Sequence, residues 1–273
     1  MQSILSDHQR DIYNADGLLA PLPVLSPDDV ENYRRWFEEF ERFVGGRVRG
    51  NQTKQLHLYA SWAYDLALHP NILDVVEGIL GPDILVHDTA FFCKYPEDTS
   101  FVSWHQDGYY MKLSGERFTT AWIALTDSTP ENGCMRVITG SHGSVLPHIE
   151  RPAANNMLGS GMTLAAEIDE SRMRDVMLRA GEMSLHHVNL VHSSGENRAR
   201  EKRVGFAIRY IAAEISQELP HHPVVVARGV DKHRHFEHLP ERPAWPMAEM
   251  IERQREGHAE YLRARGFQSP VIS

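Results

Sequence analysis

Ile84-Leu85-Val86-His87-Asp88-Thr89-Ala90-Phe91-Phe92-Cys93-Lys94-Tyr95 is the stretch at which this chain changes character. β-Branched and aromatic residues dominate it, and Pro96-Glu97-Asp98 breaks it, which reads as one long strand. Residues 101–106, 119–126, 134–138, 183–187 and 204–211 are further strand candidates. Turn signals lie between them, at Pro130-Glu131-Asn132-Gly133, Gly140-Ser141-His142-Gly143, Ala180-Gly181 and Gly195-Glu196-Asn197. Many strands without alternating helices favour an antiparallel barrel or sandwich over a parallel α/β sheet. Residues 146–180 form a long irregular connection, of the kind that serves as a lid or binding loop.

Upstream, the first third reads as helical. Ser6 caps a first helix, with Gln9 at capping-box spacing and Gly17 as its stop. Ser26-Pro27-Asp28-Asp29 opens a second, with cap, proline and first-turn acids, and Val30, Tyr33, Phe37, Phe40 and Val44 follow at helical spacing. Residues 47–54 read as a polar, mobile connection, and 56–68 as a short helix. From Pro70, residues Ile72, Val75, Val76, Ile79 and Leu80 mark another helix before Gly81. Residues 247–265 form a last helix. With no repeat or linker, the expectation is one domain over 1–273: a helical entry over 1–82, a β core over 83–227 and a C-terminal helix over 245–265.

Composition narrows the function. The chain has 273 residues, 42% of them apolar and 24% charged, ordinary values for a globular protein with a real core. A net charge of −9 and a pI near 6.0 argue against a dedicated nucleic-acid binder. No apolar run approaches the length that spans a bilayer, and no signal peptide is visible, so a cytoplasmic protein acting on a small molecule is expected. Cys93 and Cys134 lack metal-binding spacing and read as free thiols.

The chemistry sits in Trp104-His105-Gln106-Asp107-Gly108-Tyr109-Tyr110 and in Val191-His192-Ser193-Ser194-Gly195. On an extended strand His105 and Asp107 project to one side, so they can grip one ion if a third ligand arrives. His192 would complete two nitrogens and one oxygen, the facial set of non-haem Fe(II) oxygenases. Among 16 histidines a single His-x-Asp is weak evidence, since a partly buried histidine bonded to a neighbouring carboxylate reads the same way.

Further blocks supply the context: Ala121-Trp122-Ile123-Ala124-Leu125-Thr126-Asp127, Pro130 to Cys134, Gly140-Ser141-His142, Ala180-Gly181-Glu182, His187, His192 to Asn197, and Arg203. In order and spacing they resemble the phytanoyl-CoA dioxygenase family of Fe(II)- and 2-oxoglutarate-dependent oxygenases. That resemblance implies a mainly β fold with flanking helices, the double-stranded β-helix (a cupin-like jelly roll). It implies His105, Asp107 and His192 as iron ligands, with no catalytic residue beyond them, and Fe(II), 2-oxoglutarate and O2 as reaction partners. Arg203 matches the arginine that holds the distal carboxylate of 2-oxoglutarate, where a bidentate guanidinium is not replaced by lysine. By composition alone, residues 198–203 look like a solvated charge cluster. Ser194 matches a position that helps bind the same carboxylate. His142 and His187 are the main competitors for ligand status, each at most a hydrogen-bonding neighbour of the metal, and His142 fits a core or surface hydrogen bond better.

Halogenating relatives carry a small residue where this chain has Asp107, so the resemblance implies a hydroxylase that releases succinate and CO2. Tyr109, Tyr110 and Met111 follow the metal motif and are expected at the pocket mouth. Lys94, Arg136 and Arg209 are candidate contacts for an anionic or polar group, and Trp122 reads as core packing. No basic cluster suits a CoA tail. The expected substrate is a small polar or zwitterionic metabolite: an amino acid, aminophosphonate or natural-product intermediate. Two other readings keep the same triad, as a Zn-dependent hydrolase or as a non-catalytic metal-binding β-barrel.

Overall fold

The computed structural model describes residues 5–158 and 161–266. The helical entry comprises α1 (Asp7–Asp16), α2 (Pro27–Phe43), α3 (Ser61–Ala67) and α4 (Pro70–Leu80). The expected capping box on Ser6 is present, Ser26 caps α2 as expected and forms a second box with Asp29, and Gly17 closes α1 in the left-handed region at φ 70°. Between α1 and α2 lies a strand, β1 (Leu18–Pro23), which corrects the all-helical reading of this third. Pro21 and Pro23 hide it from sequence patterning. They are tolerated because β1 is an edge strand and need not donate on its outer side.

The remaining strands are β2 (Ile84–Lys94), β3 (Val102–His105), β4 (Phe118–Ala124), β5 (Met135–Ile138), β6 (His148–Glu150), β7 (Met162–Leu164), β8 (Met173–Val176), β9 (Glu182–His187), β10 (His192–Ser194), β11 (Arg203–Ala212) and β12 (Val225–Arg228). They form a six-stranded sheet in the order β1-β9-β4-β11-β2-β12, a four-stranded sheet β3-β10-β5-β8 and a β6-β7 hairpin, with every pairing antiparallel. Two helices complete the order, the short α5 (Asp107–Met111) and α6 (Met247–Ala264). The architecture is a jelly roll with helices backing its larger sheet.

Alternation along the large sheet separates core from site. Phe206, Ile208 and Tyr210 of β11, Ile123 of β4, Leu185 of β9 and Phe91 of β2 face the helices. They pack there against Phe37, Phe40, Leu66, Ile72 and Val76 in the main core. The opposite parity of each strand faces the smaller sheet, where Trp122, Ala124 and Ala207 meet Met135, Val137 and Val176. Because the side-chain period is two, one register decides which residues reach the interior of the roll.

Two loop expectations change. Residues 146–180 contain β6, β7 and β8, whose three or four residues are too few to show a period. Residues 47–54 are packed rather than mobile. Val48 is buried and its N–H donates to Tyr95 Oη at 2.8 Å, Gly50–Thr53 forms a 3-10 turn, and Gln254 of α6 donates to the carbonyls of Asn51 and Lys54. Among the described residues no helix is long and apolar enough to cross a membrane.

Candidate metal centre and active-site cavity

His105, Asp107 and His192 converge at the mouth of the smaller sheet, their potential ligand atoms all within 4.8 Å of one another and all three side chains buried. The expected reason for the first pair needs amendment. His105 is the last residue of β3 and Asp107 the first of α5, so no strand carries both. Gln106 between them is still extended, at φ −126° and ψ 128°, and one extended residue is enough to turn its neighbours to the same side. His192 arrives by strand pairing. It is the antiparallel partner of His105, and their ring centroids lie 4.0 Å apart.

Gln106 points away from the cluster and secures the motif. It is fully buried; its Nε2 donates to the carbonyls of Ser144 (2.8 Å) and Asn189 (2.5 Å), and its Oε1 accepts from the Leu146 N–H at 2.7 Å. Gly108 follows because a Cβ there would collide with Asn189 Oδ1.

The donor set suits a divalent cation. Nδ1 of His105 lies 2.8 Å from the Ser103 carbonyl and Nδ1 of His192 lies 2.8 Å from the Leu190 carbonyl, so each Nδ1 carries the proton and each Nε2 keeps its lone pair. Burial, and then His105 and His186 nearby, hold the His192 ring well below its ordinary pKa, which keeps it neutral. Burial alone would raise the Asp107 carboxyl. Arg209, and then His105 and His192, outweigh it and hold Asp107 well below the usual carboxylate range. Thr120 Oγ1 donates to Asp107 Oδ2 at 3.1 Å, and Arg209 Nη2 lies 3.4 Å from Oδ1. The other nitrogen of that guanidinium, Nη1, meets Asp88 Oδ2 at 3.3 Å.

The inner cavity runs along the inward-facing parity of β11 from the triad and Arg209, past Ala207 and Trp122, to Arg203 and Ser194. Arg203 is 2% exposed, so it is not part of the solvated run that residues 198–203 suggest. Nη1 donates to the Gly133 carbonyl, and the guanidinium sits 5.2 Å from the Trp122 ring centroid. Burial brings Arg203 down to about 10, so it remains a cation at neutral pH. Trp122 is therefore both core and cavity wall. Its indole lies over Gly205, where any Cβ would overlap it.

The other candidates divide. Tyr109, Tyr110 and Met111 of α5 line a second, larger cleft that shares Phe92, Asp107 and Arg209 with the inner cavity. Lys94 is turned away from that cleft; it is fully buried, and its Nζ donates to Ser194 Oγ at 2.7 Å and to the Gly195 carbonyl. Burial, and then Arg203 beside it, bring Lys94 down to about 6. Arg136 lies over Trp104, 5.5 Å from its centroid, and lines neither cavity. His142 and His187 sit together under α1, their centroids 5.0 Å apart, with His142 Nε2 against the Asn14 carbonyl. His187 has the outward parity of β9, and neither histidine lines the inner cavity.

Its neighbour His186, which no motif in the sequence singles out, has the inward parity. His186 lines the cavity with its ring 4.9 Å from that of His192; it is 2% exposed, and neither ring nitrogen has a hydrogen-bond partner among the described residues. Burial lowers its pKa to about 4, so the ring is neutral. A buried polar atom left unsatisfied costs about 1–3 kcal/mol. His186→Leu is therefore expected to leave the thermal midpoint of the metal-free protein unchanged or higher, as calorimetry would read. A lowered midpoint would mean that the imidazole is satisfied in the folded protein.

A family profile described as phytanoyl-CoA dioxygenase (PhyH) matches residues 13–205. The peroxisomal phytanoyl-CoA dioxygenase of Homo sapiens is 25% identical over 237 residues, covering 78% of this chain and 70% of that protein. Among solved structures, the apo form of the non-heme monooxygenase ThoJ superposes with a TM-score of 0.79 at 31% identity, over 93% of this chain and 96% of that one. CytC3 with Fe(II) and alpha-ketoglutarate superposes with a TM-score of 0.62 over 89% of this chain and 94% of that one; at 20% identity this is a likeness of fold.

Proposed function

This chain belongs to the phytanoyl-CoA dioxygenase family, and from that premise we propose that it hydroxylates a C–H bond of a metabolite with His105, Asp107 and His192 as its iron ligands. Fe(II) is its cofactor and 2-oxoglutarate its co-substrate. The overall change balances as substrate C–H, dioxygen and 2-oxoglutarate going to substrate C–OH, succinate and CO2.

One observation carries the reading: among the described residues three donors gather at the triad, and a buried arginine, cationic at neutral pH, stands at the far end of the same cavity. A structural zinc site is normally closed by a fourth protein ligand, and none joins the cluster among the described residues. A zinc hydrolase would leave the desolvated Arg203 without an anion to bind. With three protein donors at the triad, His105, Asp107 and His192 would leave room for a chelating 2-oxo acid, and Arg203 and Ser194 would hold its distal carboxylate.

When bound, the iron supplies the activation of dioxygen that makes an unactivated C–H bond reactive. The remaining work belongs to the chain. Arg203 would hold the distal carboxylate of the co-substrate, and the Ser194 hydroxyl, itself bonded to Lys94, would add a polar contact beside it. Thr120 orients the Asp107 carboxylate, while the carbonyls of Ser103 and Leu190 fix the two imidazoles. Phe92, Trp122 and Val102 make the walls apolar and exclude water. Of the expected substrate range, the adjoining cleft of about 500 Å³ favours a natural-product intermediate over a free amino acid or aminophosphonate.

Addition of 2-oxoglutarate to the Fe(II)-loaded protein under nitrogen is expected to raise a visible metal-to-ligand charge-transfer band, and admission of O2 to yield succinate. Succinate formation that persists without iron, or the absence of any band at saturating 2-oxoglutarate, would refute the assignment.

A further inference from the structure

The larger cleft carries a reading of the substrate class. We propose that it binds an extended molecule with a ring system along its length and an anionic group that meets a set of wall lysines and arginine. This rests on the assignment of the inner cavity to iron and 2-oxoglutarate.

Size comes first. At about 500 Å³ the cleft falls in the range of pockets that enclose drug-sized ligands, and it opens on the triad through the shared residues Phe92, Asp107 and Arg209. Its walls present faces for rings. Tyr109 stacks on His148 with centroids 4.1 Å apart and planes at 21°, and Tyr261 of α6 stacks on His222 at 4.1 Å and 25°. Burial lowers His222 to about 4, so that ring is neutral. The wall is also held in place, since His258 Nδ1 lies 2.7 Å from Gln55 Oε1 and Gln55 Nε2 donates to Asp88 at 2.9 Å.

Charge comes second. The two carboxylates of the floor, Asp88 and Asp107, are already bridged by Arg209. Lys54, Lys112 and Arg265 also line the cleft, and among the described residues none has a carboxylate at ion-pair distance. Each lies over an aromatic ring instead: Lys54 over Phe92 at 5.5 Å, Lys112 over Tyr109 at 5.7 Å and Arg265 over Tyr261 at 5.5 Å. Glu150 is the one further acid on the lining. A cationic wall in a protein of net charge −9 is a local reversal of sign, which concentrates an anion beside aromatic side chains that its ring body can pack against.

A matched pair of probes tests both halves of the proposal. 8-Anilinonaphthalene-1-sulfonate has the ring body and the charge, while N-phenyl-1-naphthylamine has the same rings without the sulfonate. Each is titrated by fluorescence, and by perturbation of the charge-transfer band, into enzyme loaded with Fe(II) and 2-oxoglutarate under nitrogen. The sulfonate is expected to bind about tenfold more tightly than the amine, the effect of one charge-assisted contact, and to move the band. In the double variant Lys54→Met/Lys112→Met that advantage is expected to vanish while binding of the amine persists. Equal binding of the two probes, no binding of the sulfonate, a band it leaves unmoved, or an advantage that survives the double variant would overturn the proposal. So would L-alanine or methylphosphonate moving the band at lower concentration than the sulfonate. If the band never forms, the assignment of the inner cavity fails, and the fluorescence comparison still decides the cleft.

Discussion

Replacing Asp107 with alanine is expected to abolish succinate formation and to weaken Fe(II) binding by more than about 100-fold. Loss of groups that merely orient a ligand already costs about 10- to 100-fold, and here the proposed ligand itself is removed. The effect reaches beyond the metal. Asp107 is one of two carboxylates on Arg209, at 3.4 Å, the other being Asp88 at 3.3 Å. Removing one partner of a buried pair leaves uncompensated charge and costs about 3–5 kcal/mol when no other partner remains. Asp88 retains part of the compensation, so a smaller loss of metal-free stability is expected, visible as a lowered thermal midpoint. Asp107→Asn keeps the shape and the acceptor for Thr120, and separates the two effects. It is expected to lose iron affinity and to keep more of the stability. Iron binding unchanged by Asp107→Ala, read by anaerobic titration calorimetry, would remove Asp107 from the ligand set.

Arg203→Lys is expected to raise the KM for 2-oxoglutarate by about 100-fold with a smaller change in kcat. Two parallel charge-assisted hydrogen bonds to a carboxylate become one in the variant, and a factor of 100 corresponds to about 2.8 kcal/mol. Lysine also lacks the planar face that Arg203 lays over Trp122 at 5.2 Å, and its ammonium is costlier to desolvate in the same buried site. Lys94 shows the consequence, since burial has already brought that nearby amine down to about 6. The loss should appear equally in the anaerobic Kd read from the charge-transfer band, because the contact is made before dioxygen enters. An unchanged Kd would mean that the co-substrate carboxylate is held elsewhere, with Arg209 the remaining cation on the cavity lining.

Much of this was readable along the chain. Ser6 with Gln9 announces one helix start and Ser26-Pro27 with its first-turn acids another, and both helices begin as read. The run from Ile84 to Lys94 declares itself a strand by composition alone. The triad was legible because its residues recur in a known spacing with their flanking blocks. Parity was not. His186 and His187 are adjacent and chemically identical, yet one lines the cavity and the other lies under α1. Lys94 looked like a substrate contact and is instead bound to Ser194. Strands of three residues, such as β6, β7 and β10, have too few positions to display a period.

By itself, then, the sequence determined the residues proposed to hold iron and an anionic co-substrate, the places where helices begin, and the β character of the middle. Tertiary structure decided which of two neighbouring histidines faces the cavity, that Arg203 is desolvated, and that α6 closes a cationic, ring-lined cleft with residues far from the motif in the chain. The physical reason is that caps and propensities act over three or four residues. Strand register and helix docking are set by long-range pairing, where a shift of one residue exchanges the interior face for the exterior.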